Sequence, residues 1–334
     1  MNHNLLTVSS SPHILGSMTV RSMHLELMVA LLPALLTGVY FFGLPAAITV
    51  AIAVVAAVAA EWAACKIAKL PNRIDDLHSL TMGLMMGLVL PPGAPWWLPL
   101  IGSVLAVVLG KMIFGGLGAY PMNPVIIAWA ALSISWPEQM NAFLAPVPIG
   151  SGGEWETATT FLMDLKDDVG LVMDPELGPL WWGNTPGAIG ATGAWALIVG
   201  GLYLVIRGIV PWQIPLGTLL GAAAMALLAS YIDPGVIEVE LEGFAAHLDV
   251  VWLHLGTGGL MIAAFFLAPE PVSSPVTPWG MIIYGLGIGL MAVIVRFWGT
   301  MVDGVFYGVL LMNAVTPLLD RIRPRVLGKV MSSA

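Results

Sequence analysis

Ten apolar stretches, each near bilayer-crossing length, constrain this chain more than any other feature of its sequence. A helix rising 1.5 Å per residue needs about 20 apolar residues to cross the hydrocarbon layer. Such stretches fall near 24–43, 46–65, 77–90, 97–115, 122–136, 189–206, 214–232, 251–268, 280–297 and 302–319. The third, Leu77–Leu90, and the fifth are short, which predicts tilted, broken or partly re-entrant helices. Only 10% of the residues are charged, against about 25% in a soluble domain. Folded as one soluble core, the chain could not cover its own surface with polar side chains. The expected fold class is an all-α polytopic membrane protein, a single membrane domain over 1–334. Residues 1–20 show no apolar h-region, so no cleavable signal is expected.

Charge orients the spans. With ten crossings both termini share a side, and Arg21, Lys66, Lys69, Arg73, Lys111, Arg207, Arg321, Arg323, Arg325 and Lys329 fall on it. Lys166 and Arg296 fall opposite, a ten-to-two split of the 12 basic residues that predicts cytoplasmic termini. The far side then holds loop 137–188, with Glu154, Glu156, Asp164, Asp167 and Asp168 among its acids, and the acidic loop 231–250. The segments 1–20 and 320–334 become a cytoplasmic lead and tail. Twelve basic against 20 acidic residues argue against a nucleic-acid partner. The lone Cys65 excludes an internal disulfide and Cys-type iron–sulfur or zinc centres within the chain.

Two spans share a pattern. His78-x-x-Thr81-x-Gly83-Leu84-Met85 recurs as His254-x-x-Thr257-x-Gly259-Leu260-Met261, and each copy runs into prolines, from Pro91 and from Pro269. Five spans separate the copies, so the two five-helix halves are expected to be inverted, with a site near their interface. Coincidence among common Gly, Leu and Met is the alternative, and helix-ending prolines need no further purpose.

Ionisable groups inside the apolar stretches cost about 2.5–3.5 kcal/mol each. Glu61 is expected to snorkel toward Lys66, Asp303 to pair with Arg296, and Asp320 to pair at the interface with Arg321 or Arg323. His78 and His254 read either as proton carriers or as interhelical histidines. GGLG at Gly115–Gly118 and GAIGATGA from Gly187 read as packing or turn elements, because neither follows a strand. The doublets Trp96/Trp97 and Trp181/Trp182 belong at the outer interface.

Several separated blocks then carry a resemblance. They are SPH at Ser11–His13, LLPALLTGVYFFG at Leu31–Gly43, LPPGAPWWLPLIGS at Leu90–Ser103, FGGLG at Phe114–Gly118, and MNP at Met122–Pro124. Gly258–Gly280 and Val295–Arg325 complete the set. In order and wording the chain resembles the D subunit of Rnf-type ion-translocating ferredoxin:NAD⁺ oxidoreductases almost end to end. The B subunit of sodium-pumping NADH:quinone reductases is the related family.

The resemblance implies a membrane subunit of an electron transport complex in the bacterial inner membrane, inactive without its partner subunits and coupled to Na⁺ or H⁺ movement. It also implies FMN joined through its phosphate to a threonine on the periplasmic side, loaded by a flavin transferase, and a non-covalent riboflavin within the membrane. The attachment motif falls in GGEWETATTFLMDLK, Gly152–Lys166. One alignment sets Glu154, Thr157 and Ala158 on the motif and makes Thr160 the attachment point. The other keeps Ala158–Thr159 as the final pair and makes it Thr159. Without the resemblance, WETATTF reads as a helix start capped by Thr157. The riboflavin is expected near the broken spans at Pro91 and Pro269, within reach of Asn123 and Thr257. A small-solute channel or secondary transporter fits ten spans and an inverted repeat equally well, and a redox-inert docking scaffold is the third reading.

Overall fold

The computed structural model describes residues 18–71, 74–165, 177–232 and 244–322. Within them every one of the ten apolar stretches contains helix. Helix α1, Val20–Ile67, begins in a reciprocal capping box between Thr19 and Ser22 and runs for 48 residues. A straight helix of that length would extend about 72 Å, more than twice a bilayer's hydrocarbon thickness. It is divided at Gly43, whose φ of 59° and ψ of −138° are non-helical. A side chain there would also meet the ring of Trp155, so glycine is the residue that fits. Pro45 follows just inside the second half, where its missing N–H costs nothing.

After a short turn come α2, His78–Val89, and α3, Trp97–Leu105, which continues as π-helical backbone through Lys111. Next are α4, Pro124–Ser135, the single turns α5, Pro137–Met140, and α6, Phe161–Asp164, then α7, Leu177–Trp182. The second half holds α8, Ala194–Ile206, α9, Gln213–Ile232, and α10, Phe244–Gly256. It ends with α11, Leu260–Ile262, extended by π-helical backbone to Leu267, then α12, Pro278–Trp298, and α13, Val305–Leu319.

Among the described residues four helical runs are long and apolar enough to cross a membrane by themselves: α1, Trp97–Phe114, α9 and α12. Helices α10 and α11 with its extension form a fifth as a bent pair, turning by 64° at the break. The short stretches are shorter than the sequence suggests. The expected span 189–206 is helical only from Ala194, and 302–319 only from Val305. Conversely, α10 starts at Phe244, inside the expected loop 231–250.

Helix α2 lies at the centre, with all but one of its residues buried. It approaches α1 through glycine: a methyl built on Gly83 or Gly87 would lie 2.7 Å from Val54 Cα or 2.8 Å from Val50 Cα. Residues 260–267 are wholly buried too. Leu32, Leu36, Leu44 and Val55 stay exposed along α1, as a lipid-facing surface requires. In the tryptophan doublets, Trp96 and Trp182 are exposed while Trp97 and Trp181 pack on Trp136 and Trp252. Gly115, Gly116 and Gly118 all take positive φ in a turn. Gly190 seats its backbone N–H on the Leu88 carbonyl at 2.7 Å, where a side chain would strike Leu88. Both glycine runs are turn and packing elements.

Candidate functional site

Residues expected on the outer side line a cavity of about 250 Å³. Its wall includes the rings of Trp129, Phe306 and Tyr307 together with Thr160, Thr192 and Asp303. Trp129 packs 4.4 Å from Phe306 and 5.4 Å from Tyr307 between ring centroids, which makes that wall aromatic.

Local pairing fixes where the two candidate threonines stand. Residues 156–158 run antiparallel to 143–145, with Ala145 N–H donating to Glu156 at 2.9 Å and Ala158 N–H to Phe143 at 3.1 Å. Thr157 sits opposite Leu144 in this bridge and caps no helix. The same segment is tied to the α1 kink by Val147 N–H on the Phe41 carbonyl at 2.8 Å. Thr160 takes the cap position instead: its Oγ1 accepts from Met163 N–H at 3.3 Å, opening α6. Thr160 is 8% exposed and lines the cavity, whereas Thr159 is exposed and does not.

The cavity borders the break between α10 and α11. There Arg296 donates to the His254 carbonyl at 2.6 Å and the Thr257 carbonyl at 3.0 Å, which the interrupted helix leaves without partners. It also binds Asp303 Oδ1 at 3.1 Å, and Asp303 Oδ2 accepts from Gly259 N–H. The expected Arg296–Asp303 pair is therefore present, and it fastens both ends of a broken helix. Leu162 of α6 lies against Gly258 in the break, whose φ is +64°. Thr257 borders the cavity, but its hydroxyl donates to the Leu253 carbonyl at 2.8 Å.

One other expected pairing is corrected. Glu61 does not reach Lys66. It is 2% exposed and binds Lys111 Nζ at 2.6 Å, because its position faces the bundle where lipid-side water is out of reach. Lys66 lies over the Trp62 ring instead, 4.8 Å from its centroid. Asp320 accepts from Val276 N–H at 2.9 Å and so caps a neighbouring segment. Arg323 falls outside the described residues, as do Lys166, Asp167 and Asp168.

A second polar cluster lies among segments assigned to the cytoplasmic side. Tyr120 Oη donates to Glu270 at 2.6 Å and stands 3.1 Å from His78 Nε2. Desolvation raises Glu270 above the ordinary carboxylate range, against hydrogen bonds from Tyr120 and Ser273 that pull it down. Burial and the adjacent Glu270 raise Tyr120 in turn. Asn123 is fully committed, capping α4 through Oδ1 and donating to the Leu267 carbonyl at 2.8 Å. Sequence reasoning singled out His78 but missed Tyr120 and Glu270. The available signal was that Glu270 is the only acid between Asp249 and Asp303.

The model of the NQR2, RnfD, RnfE family matches residues 7–328. The D subunit of the Na⁺-translocating ferredoxin:NAD⁺ oxidoreductase complex of Acetobacterium woodii is 39% identical over 331 residues, covering 98% of this chain and 97% of its own. The D subunits of the ion-translocating oxidoreductase complexes of Stutzerimonas stutzeri and Yersinia enterocolitica are 34% and 32% identical, covering 91% and 97% of this chain and 91% and 98% of their own. With a family match over residues 7–328 and D-subunit relatives covering almost its whole length, the chain belongs to the NQR2, RnfD, RnfE family.

Proposed function

We propose that this chain is the membrane D-type subunit of an ion-translocating complex that moves electrons between ferredoxin and NAD⁺, with FMN bound covalently through its phosphate to Thr160. The observation that carries the assignment is local. Of the two adjacent candidate threonines, Thr160 alone borders the outer cavity, next to an aromatic wall and a broken helix.

The residues present fit such a group. Thr160 offers the hydroxyl, Trp129 and Phe306 offer flat apolar surface, and Thr192 and Asp303 add polar edges. FMN, when bound, supplies one- or two-electron transfer between neighbouring centres. The chain's part is to hold the attachment segment still. It does so through the pairing of 156–158 with 143–145 and the seating of Leu162 on the helix break. A threonine hydroxyl is a weak nucleophile unaided, and Thr160 accepts only a backbone N–H, so a flavin transferase is the partner that loads it. The other partners are the remaining subunits and the lipid bilayer.

The same reading takes the helical stretches as ten crossings of the bacterial inner membrane in two inverted halves, with cytoplasmic termini and Thr160 on the periplasmic side. Supporting it, the cavity linings segregate: residues 129–143, 160–162 and 300–307 share one cavity, while His24, His78, Asn123, Val210 and Glu270 share another. The alternation expected of ten crossings puts these groups on opposite sides. Riboflavin near Pro269 does not fit the arrangement seen. The cavity there is about 40 Å³, and the Asn123 amide is committed.

Peptide mass spectrometry tests the assignment on chain purified from cells with an active flavin transferase. The expected result is an FMN adduct on the 152–166 peptide, retained in Thr159→Ala and absent in Thr160→Ala. No adduct in the unaltered chain overturns the flavoprotein reading and favours a solute channel or transporter.

A further inference from the structure

Four ionisable side chains from distant parts of the chain converge on the side opposite Thr160. His24 comes from the start of α1, His78 opens α2, Tyr120 precedes α4, and Glu270 follows the π-helical extension of α11. Glu270 Oε1 accepts from Tyr120, and Oε2 accepts from Val272 N–H, Ser273 N–H and Ser273 Oγ at 3.2, 3.0 and 3.0 Å. Four donors around one carboxylate suit its anion. Yet the cation nearest the histidines, Lys111, is committed to Glu61.

Because the Tyr120 hydrogen is directed to Glu270, the 3.1 Å contact with His78 requires Nε2 of that ring to carry the hydrogen. Nδ1 is then a bare lone pair. It has no partner, and neither ring nitrogen of His24 has one. Both rings are 4% exposed, stand 4.8 Å apart edge to face, and border the same cavity of about 40 Å³ as Glu270. Buried polar atoms without partners are rare enough to need a reason. A space of that size between polar groups accommodates roughly two or three waters.

We propose that His24, His78, Tyr120 and Glu270, with water in this cavity, form a proton-binding relay. A proton delivered by cavity water to His78 Nδ1 makes an imidazolium. Its Nε2 hydrogen passes to Tyr120 Oη as the tyrosine's own hydrogen passes to Glu270 Oε1. One proton has then moved from water to Glu270, which becomes a neutral acid, and His78 is left neutral in its other tautomer. The reverse sequence releases the proton, and no oxidant or reductant is involved. The other charged groups around the cluster are Asp76, whose carboxylate accepts from His78 N–H at 2.8 Å, and the Glu61–Lys111 pair.

The test is nitrogen NMR of the full-length chain in lipid nanodiscs, with its six histidines isotopically labelled and the pH varied. The expected result is that His78 titrates. In Glu270→Gln its midpoint should fall by about one unit, a tenfold weaker hold on the proton. In Tyr120→Phe it should lose its linkage to Glu270. His254 is fully buried and also lacks ring partners, but it neighbours Arg296, so it serves as the internal control that stays neutral. A His78 ring that keeps one tautomer throughout the folded pH range overturns the relay. So does a titration that neither variant alters. Should both variants misfold, the titration of unaltered His78 decides by itself. The readout involves no flavin, so it stands or falls separately from the Thr160 assignment.

Discussion

Arg296 brings a full charge into the protein interior, and four of the five N–H donors of its fork meet an oxygen of the helix break or of Asp303. Such a group stabilises only while its set of partners is complete. Replacing Arg296 with leucine strands two helix-end carbonyls and leaves Asp303 without its cation, at an expected cost of about 3 kcal/mol. The single cysteine supplies the readout, because Cys65 is buried and unpaired. Heating the purified chain with a fluorogenic maleimide should give Cys65 reaction at a lower temperature in Arg296→Leu than in the unaltered protein. An unchanged midpoint would remove the staple from the account of stability. The Glu61–Lys111 pair follows the same rule with a sharper contrast. Glu61→Gln should destabilise more than the double change Glu61→Gln with Lys111→Met, which removes both charges together. The sequence showed that these charges lie within apolar stretches. It identified the partner correctly for Arg296, seven residues from Asp303, and wrongly for Glu61. Proximity along the chain suggested Lys66, and the actual partner is fifty positions away.

Among the elements, α9 and α12 pack most intimately, and glycine is the reason. Gly217 and Gly221 on one helix face Gly285 and Gly289 on the other. A methyl built on Gly285 would lie 2.6 Å from the Ile214 carbonyl oxygen, and one on Gly289 would run into Thr218 and Ala222. In lipid, where no hydrophobic force draws helices together, this close backbone approach is what holds the pair. Gly289→Leu should therefore abolish folded protein in a size-exclusion assay. Ala224→Leu, one helix face away on an exposed position of α9, should leave it intact. Equal yields would show that the pair tolerates separation. The helices themselves were legible in the sequence, since apolar runs of this length have few other solutions. Helix ends were less legible. Residues 244–250 read as polar loop yet extend α10, and residues 189–193 read as apolar span yet form a tight turn against α2. Hydropathy reports the surroundings of a residue. It says little about whether its backbone hydrogen bonds close within a helix or against another segment.

The whole molecule poses the question of sidedness. Two of the basic residues that set the orientation, Lys111 and Arg296, are 1% exposed and paired inside the protein, one from each side of the charge tally. Their removal leaves the bias among surface charges unchanged in sign. Impermeant maleimide labelling of intact cells checks the outcome in a Cys65→Ala background. A cysteine placed at Ile149, which is exposed beside the attachment segment, should label from outside. One at Leu70 or Ile322, also exposed, should label only after the membrane is opened. Labelling of all three from the same side would refute the ten-crossing arrangement.

Composition, hydropathy and charge by themselves determined the class of this protein and the places where helices form. Motifs in the sequence added the breaks that follow His78 and His254 and the segment holding Thr159 and Thr160. The first group follows from the bilayer as solvent, since apolar length and the distribution of lysine and arginine are one-dimensional properties. Only the tertiary structure put Thr160 in a cavity wall and left Thr159 outside it, gave Glu61 to Lys111, and brought Glu270 and Tyr120 to His78 across 192 and 42 residues of chain. The reason is physical. A buried polar group must find its partner in space, and in a bundle of apolar helices that partner can come from any segment the packing brings near.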